Sequence, residues 1–113
     1  MTLDEYEAAA TRTINSKLRV SERLMDAASG LAEESGEILG LVRKHLYQSR
    51  SLDREELKKE LGDALWCLTI AATSAGLTLD QVAEANIAKL RERYPDGYTD
   101  EQSQRRMRFE SQE

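Results

Sequence analysis

A chain of 113 residues is long enough for one domain with a modest hydrophobic core. Charged residues make up 33% of it and the formal net charge is −5, which argues against a general nucleic-acid binder with its basic footprint; a nucleotide ligand stays open, because bound cations reverse a local field. A single cysteine excludes an intrachain disulfide, and no apolar run approaches the length of a membrane span.

The N-terminus, Met1-Thr2-Leu3-Asp4-Glu5, is acidic and lacks the apolar core of a signal peptide, so the cytoplasm is the expected location. One Pro, six Gly and few β-branched runs favour helices. Thr2 and Glu5 form a capping box for a first helix over residues 3 to 18, with Leu3, Tyr6, Ala9, Ala10, Ile14 and Leu18 as its apolar positions. Ser21 is placed to cap a second helix over residues 22 to 48. Gly30, Gly36 and Gly40 lie inside it, each costing about 1 kcal/mol relative to Ala, which points to close packing there. The polar stretch 48 to 53 connects to a third helix, capped by Asp53 with Glu56 and stopped at Gly76. From Leu61 to Ala75 this helix is apolar almost all round. Such a helix is buried on most sides, more than a monomer of this size can cover, and a homodimer or a tetramer of two dimers follows. Thr78 and Gln81 mark a fourth helix over residues 79 to 93, ended by Pro95 and Gly97. The expectation is an all-α fold of about four helices with a dimeric four-helix-bundle core. The helical domain covers 1–98, and a polar tail covers 99–113 with Met107 and Phe109 as its large apolar residues.

Two acidic groups border the apolar stripes of the second and third helices. The first is Glu33-Glu34-Ser35-Gly36-Glu37; after a gap of 22 residues comes Glu60-Leu61-Gly62-Asp63. Residues three or four apart share a helix face, so each group presents its acids together. If the two helices pack antiparallel, as their short connection favours, the groups meet. Like charges so gathered repel, and a hard divalent cation with a preference for carboxylate oxygen offsets that repulsion.

The pattern Glu-Glu-x-x-Glu, then Glu-x-x-Asp, resembles the MazG-like branch of the all-α nucleoside triphosphate pyrophosphohydrolases. The surroundings resemble it too: Gly30-Leu31-Ala32-Glu33-Glu34-Ser35-Gly36-Glu37, Glu60-Leu61-Gly62-Asp63-Ala64-Leu65-Trp66, and Asn86-Ile87-Ala88-Lys89-Leu90-Arg91-Glu92-Arg93-Tyr94-Pro95. The likeness spans about residues 22 to 98. It implies hydrolysis of an NTP or dNTP to the monophosphate and pyrophosphate, in pool house-cleaning or dUTP/dCTP control. It also implies Mg²⁺, with Mn²⁺ as a substitute, held by Glu34, Glu37, Glu60 and Asp63, and Glu33 as a further ligand or as the base. A phosphoribosyl-ATP pyrophosphohydrolase is a variant of the same reading. The reading from another class is a non-catalytic helical dimer whose acids form a surface stripe or hold a structural ion.

Asn86, Lys89 and Arg93 fall at i, i+3 and i+7 on one face of the fourth helix, continuing the apolar stripe from Val82. Such a face is either a solvated basic stripe or a phosphate site, and the resemblance favours phosphate contacts, with Arg93 able to bind bidentately. Trp66, one turn beyond Asp63, is suited to stacking on a base or to packing in a core. Cys67 reads as a small buried hydrophobe and His45 as a surface or helix-end residue.

Overall fold

The computed structural model describes residues 1–104, which form helices α1 Leu3–Thr11, α2 Val20–Tyr47, α3 Arg54–Ser74 and α4 Leu79–Arg93. Among the described residues there is no β-strand, as the helical periodicity requires.

The caps explain most borders. At α1 the Glu5 amide donates to the Thr2 hydroxyl (3.1 Å) and the Thr2 amide to the Glu5 carboxylate (3.2 Å), a complete capping box. The helix ends at Thr11 instead of running to residue 18. Local polar groups compete with it: the hydroxyls of Thr11 and Thr13 donate back to the carbonyls of Glu7 and Ala10, and the Asn15 side chain accepts from the Lys17 amide. At α2 the N-cap is Arg19, not Ser21. An arginine side chain has no acceptor, so Glu22 supplies the contact by reaching back to the Arg19 amide (3.0 Å) and Nε (3.3 Å).

Helix α2 runs unbroken through Gly30, Gly36 and Gly40. Its end turns through Ser49, a non-glycine residue at φ 52°, with His45 Nδ1 donating to the Arg50 carbonyl at 2.8 Å. At α3 the Asp53 carboxylate accepts the Glu56 amide at 3.0 Å. The helix stops at a Schellman motif, in which Leu77 donates to Ala72 and Gly76 to Thr73 while Gly76 takes φ +77°.

The chain divides into two compact units, one of Met1–Leu79 and one beginning at Asp80. In the first, α2 packs along α3 and α1 packs on α3. The residues buried there are small or slender: Ala10, Ala27, Cys67, Thr69, Ile70, Ala72 and Leu79. Thr69 satisfies its hydroxyl on the Leu65 carbonyl at 2.7 Å. Gly30 marks the closest approach, since a Cβ there would lie 2.8 Å from Cys67 Sγ. At Gly36 and Gly40 a Cβ would meet nothing within 4 Å, so packing inside the chain accounts for only the first of the three glycines. Trp66 Nε1 donates to the Thr13 hydroxyl at 2.7 Å, and Glu7 accepts the amide of Leu79 at 2.8 Å, so the α1 segment is tied at its middle and just past its C-terminal end.

The predicted breadth of the apolar surface on α3 is visible as an open stripe. Leu61, Leu65 and Leu68 retain 50%, 40% and 37% of their exposure. In the second unit, α4 is followed by a turn at Gly97 (φ +86°), a contact between the Tyr94 and Tyr98 rings, and a short helical stretch over 100–104. The stretch 99–104 belongs to the expected polar tail; its apolar residues Met107 and Phe109 lie outside the described residues.

Candidate metal centre

Pairing of α2 with α3 brings three of the expected acids together. Glu34 and Glu37 of α2 and Glu60 of α3 each offer a carboxylate oxygen, and the three oxygens lie within 4.8 Å of one another. Glu37 is exposed at the rim, whereas Glu34 and Glu60 are half-buried. One oxygen of each half-buried pair member, Glu34 Oε2 and Glu60 Oε2, is shut off from solvent without a hydrogen-bond partner. Buried polar atoms in folded proteins nearly always have partners; Arg23 Nε, Ser74 Oγ and Gln102 Oε1 share this state, but only these two are carboxylate oxygens, and both belong to the gathered acids.

The titration of the group shows how close it is. The Glu37 carboxyl is raised above its ordinary value chiefly by a hydrogen bond with Glu60, then by the charge on Glu60, by burial, and by the charges of Asp63 and Glu56. The Glu60 carboxyl is raised chiefly by a hydrogen bond with Glu34, an effect partly offset by the one with Glu37. When all three acids are ionised they are acceptors facing acceptors. A proton between two of them is one way to satisfy the site, and a cation is the other.

Mg²⁺ fits the donor set. It prefers oxygen ligands at about 2.1 Å, which puts adjacent ligand oxygens about 3 Å apart and opposite ones about 4 Å apart. Three oxygens within 4.8 Å need only small side-chain adjustments to meet that. Two surface ion pairs, Arg19–Glu22 and Lys58–Glu55, engage other carboxylates than these three.

The other expected site residues are placed as follows. Asp63 is exposed and lies outside the three-carboxylate group, yet its charge is felt by Glu37, Tyr6 and Cys67. Glu33 is exposed, also outside the group, and its charge reaches Cys67. Trp66 is half-buried with its indole N–H committed to Thr13. Asn86 and Lys89 are exposed on α4 and Arg93 is half-buried, all in the second unit. Cys67 is buried, and burial followed by the charges of Glu34, Asp63 and Glu33 raises its thiol, which is therefore neutral and a poor nucleophile.

Two residues near the acids were not picked out from sequence. Glu56, read as the partner of Asp53 in a capping box, is half-buried and reaches Glu60 with its carboxylate; its i, i+4 spacing to Glu60 was the available signal. Tyr6 of α1 has no signal in the acidic motif, because its place depends on how α1 packs on α3.

Among known proteins, the family described as the MazG nucleotide pyrophosphohydrolase domain matches residues 23–98. A curated relative, the Gene 37 protein of Mycobacterium phage L5, is 32% identical over 80 residues, covering 67% of this chain and 70% of its own length. No solved structure matches the chain. The matched span contains every acid of the site and the Asn86, Lys89 and Arg93 face, and it leaves out α1.

Proposed function

Because the chain belongs to the family of the MazG nucleotide pyrophosphohydrolase domain, we propose that it is a metal-dependent nucleoside triphosphate pyrophosphohydrolase, converting an NTP or dNTP to the monophosphate and pyrophosphate. The observation that carries the proposal is the meeting of Glu34, Glu37 and Glu60 with two solvent-excluded, unpartnered oxygens. Those residues hold Mg²⁺ or Mn²⁺, with Asp63 as the fourth ligand. When bound, the metal neutralises triphosphate charge and acidifies a water. Glu33, exposed and next to Glu34, accepts the proton of the attacking water. Lys89 and Arg93 bind phosphate oxygens and Asn86 donates to the substrate. Trp66, its N–H already engaged, has only its ring face to offer a base.

The same reading assigns the open Leu61, Leu65 and Leu68 stripe to a second copy of the chain, in a homodimer or a dimer of dimers. No helix of the described residues is long and apolar enough to cross a membrane, and a role in house-cleaning of the cytoplasmic nucleotide pool fits such a chain.

The test is a panel of NTPs and dNTPs with Mg²⁺ or Mn²⁺, with products separated into monophosphate and pyrophosphate. Metal-dependent release of pyrophosphate from at least one of them is expected. No turnover across the panel, together with a melting temperature unmoved by Mn²⁺, overturns the proposal in favour of an acidic surface stripe.

A further inference from the structure

The face of α2 that carries Glu34 and Glu37 runs back through Gly30 and Ala27 to Arg23. Arg23 is half-buried, and its Nε is enclosed without a hydrogen-bond partner. Cations are rarely buried unless paired, yet among the described residues no carboxylate is bonded to this one. The acids beside it on α2 do not serve it: Glu22 is engaged by Arg19, and Asp26, one turn on, stays exposed. The residue as a whole is only half-buried, so an anion can reach its guanidinium from solvent.

A second unpartnered group stands opposite. Gly30 is packed on Cys67 and Glu37 meets Glu60, so α2 and α3 run antiparallel in a fixed register. Seven residues bring a helix back to within about 20° of the same direction, about 10 Å further along its axis. Seven before Gly30 is Arg23, and seven after Cys67 is Ser74. Between these two positions Ala27 and Ile70 are 2% and 3% exposed, so the helices stay packed over the interval. The Ser74 hydroxyl is also enclosed without a partner, whereas that of Thr73 beside it bonds back to the Ile70 carbonyl at 3.3 Å.

A guanidinium offers five N–H donors and no acceptor, and a serine hydroxyl offers one more donor. Both are answered by the oxygens of an anion. A planar carboxylate is satisfied by the guanidinium fork alone, while a hydroxyl arriving from a second helix suits the tetrahedral oxygens of phosphate. Arg23 and Glu34 are about 16 Å apart along α2. Phosphates held at the acids do not reach that far.

We propose that Arg23 and Ser74 form a second, non-catalytic site for a phosphate group, supplied as inorganic phosphate or by a nucleotide: as the Arg23 side chain turns on its flexible stem, its Nε–Nη edge and the Ser74 hydroxyl converge on one oxyanion. This goes beyond the hydrolysis proposed above and does not depend on the metal reading.

The experiment follows melting temperature against inorganic phosphate and against AMP, with EDTA present and ionic strength held constant with chloride. The wild type is expected to show a saturable rise. Arg23→Gln should abolish it. Arg23→Lys, which keeps the charge and loses the fork, should weaken the affinity about 10-fold, and Ser74→Ala about 5-fold. Lys89→Gln combined with Arg93→Gln removes the phosphate contacts proposed for the substrate and should leave the affinity within about 2-fold. Arg23-dependent binding of either ligand supports the site, and the ratio of the two affinities names the source: equal values mean that the phosphate alone is recognised, and tighter AMP means a nucleotide. No saturable rise in the wild type, or the same rise in Arg23→Gln, overturns the proposal. Loss of the rise in the Lys89, Arg93 variant assigns the phosphate to the substrate site and overturns it as well. If Arg23→Gln does not fold, Arg23→Lys decides alone, and undiminished affinity there overturns the proposal.

Discussion

Gly30 sets the distance between the two helices that carry the acids, and replacing it by alanine separates two opposed effects. In an open helix interior the change stabilises by about 1 kcal/mol through backbone entropy. At Gly30 the new Cβ would stand 2.8 Å from Cys67 Sγ and 4.0 Å from Cys67 Cβ. The sulfur contact is about 1 Å shorter than a relaxed carbon–sulfur contact. Cys67 is only 7% exposed and has one side-chain torsion, with few rotamers open to it on a helix, so it yields poorly. Overpacking of this kind costs about 1–3 kcal/mol. The net effect of Gly30→Ala is therefore between neutral and about 2 kcal/mol destabilising. Gly36→Ala, in the same helix with nothing within 4 Å, shows the gain alone.

The assay is urea unfolding at one fixed protein concentration, since oligomerisation makes stability depend on it. Cys67→Ala removes the obstructing sulfur, so the double variant should recover the helix-propensity gain. A coupling energy of about 1–3 kcal/mol is expected, where independent sites add within about 0.5 kcal/mol. Mn²⁺ binding should weaken several-fold in Gly30→Ala, because Glu34 lies one turn after Gly30 and Asp63 one turn before Cys67. If Gly30→Ala stabilises as much as Gly36→Ala, or shows no coupling to Cys67→Ala, the glycine is not what lets the helices approach.

Further outcomes follow from the same structure. Glu60→Gln and Glu37→Gln should lose Mg²⁺-dependent pyrophosphate release and Mn²⁺ affinity together, with Glu92→Gln on α4 unaffected. The metal-free protein should melt at a higher temperature as pH is lowered from about 7 towards 5. Glu37 and Glu60 titrate above their ordinary value of 4.5, so between the unfolded and folded pKa values the folded state holds protons that the unfolded state has lost. That contribution is complete below the unfolded value and disappears as pH rises through the folded one; saturating Mg²⁺ should flatten the trend, which melting curves across pH will show. Thr13→Val removes the acceptor of the Trp66 indole and should cost about 1 kcal/mol in unfolding free energy, with metal affinity changed little. Leu65→Glu on the open stripe of α3 should yield monomers in sedimentation if a second copy covers that face.

Much of this fold was legible because local chemistry decides it. The reciprocal bonds of Thr2 and Glu5, the cap at Asp53 and the left-handed Gly76 act over three or four residues, so reading them needs no knowledge of the rest. Where apolar periodicity was trusted over polar competition, the reading overshot. Ile14 and Leu18 keep a helical spacing, but Thr11, Thr13 and Asn15 divert the backbone bonds and end α1 at Thr11. Ser21 is the N-cap expected from sequence, yet the helix starts from Arg19 and Glu22 makes the terminal contact in the reverse direction. The acids behave likewise. Glu34, Glu37 and Glu60 could be grouped from helical spacing and a short connection, whereas the packing of α1 on α3 is encoded by no spacing within either helix.

The contrast among the acids themselves is what separates a site from a charged surface. Carboxylates on a solvated face turn outward and take whatever partner is near, as Glu55 does with Lys58 and Glu22 with Arg19. Such pairs contribute little to stability and demand nothing of the fold. Glu34 and Glu60 turn inward, towards each other, and each leaves an oxygen where neither water nor a donor reaches it. Lys58 and Lys59 adjoin Glu60 in sequence, but a helix directs neighbouring residues to different faces, and Lys58 goes to Glu55. Lys58, two residues from Glu60, is thus spent on another carboxylate. Leaving buried acceptors unsatisfied is a cost, and a small divalent cation has the charge, size and oxygen preference to relieve it.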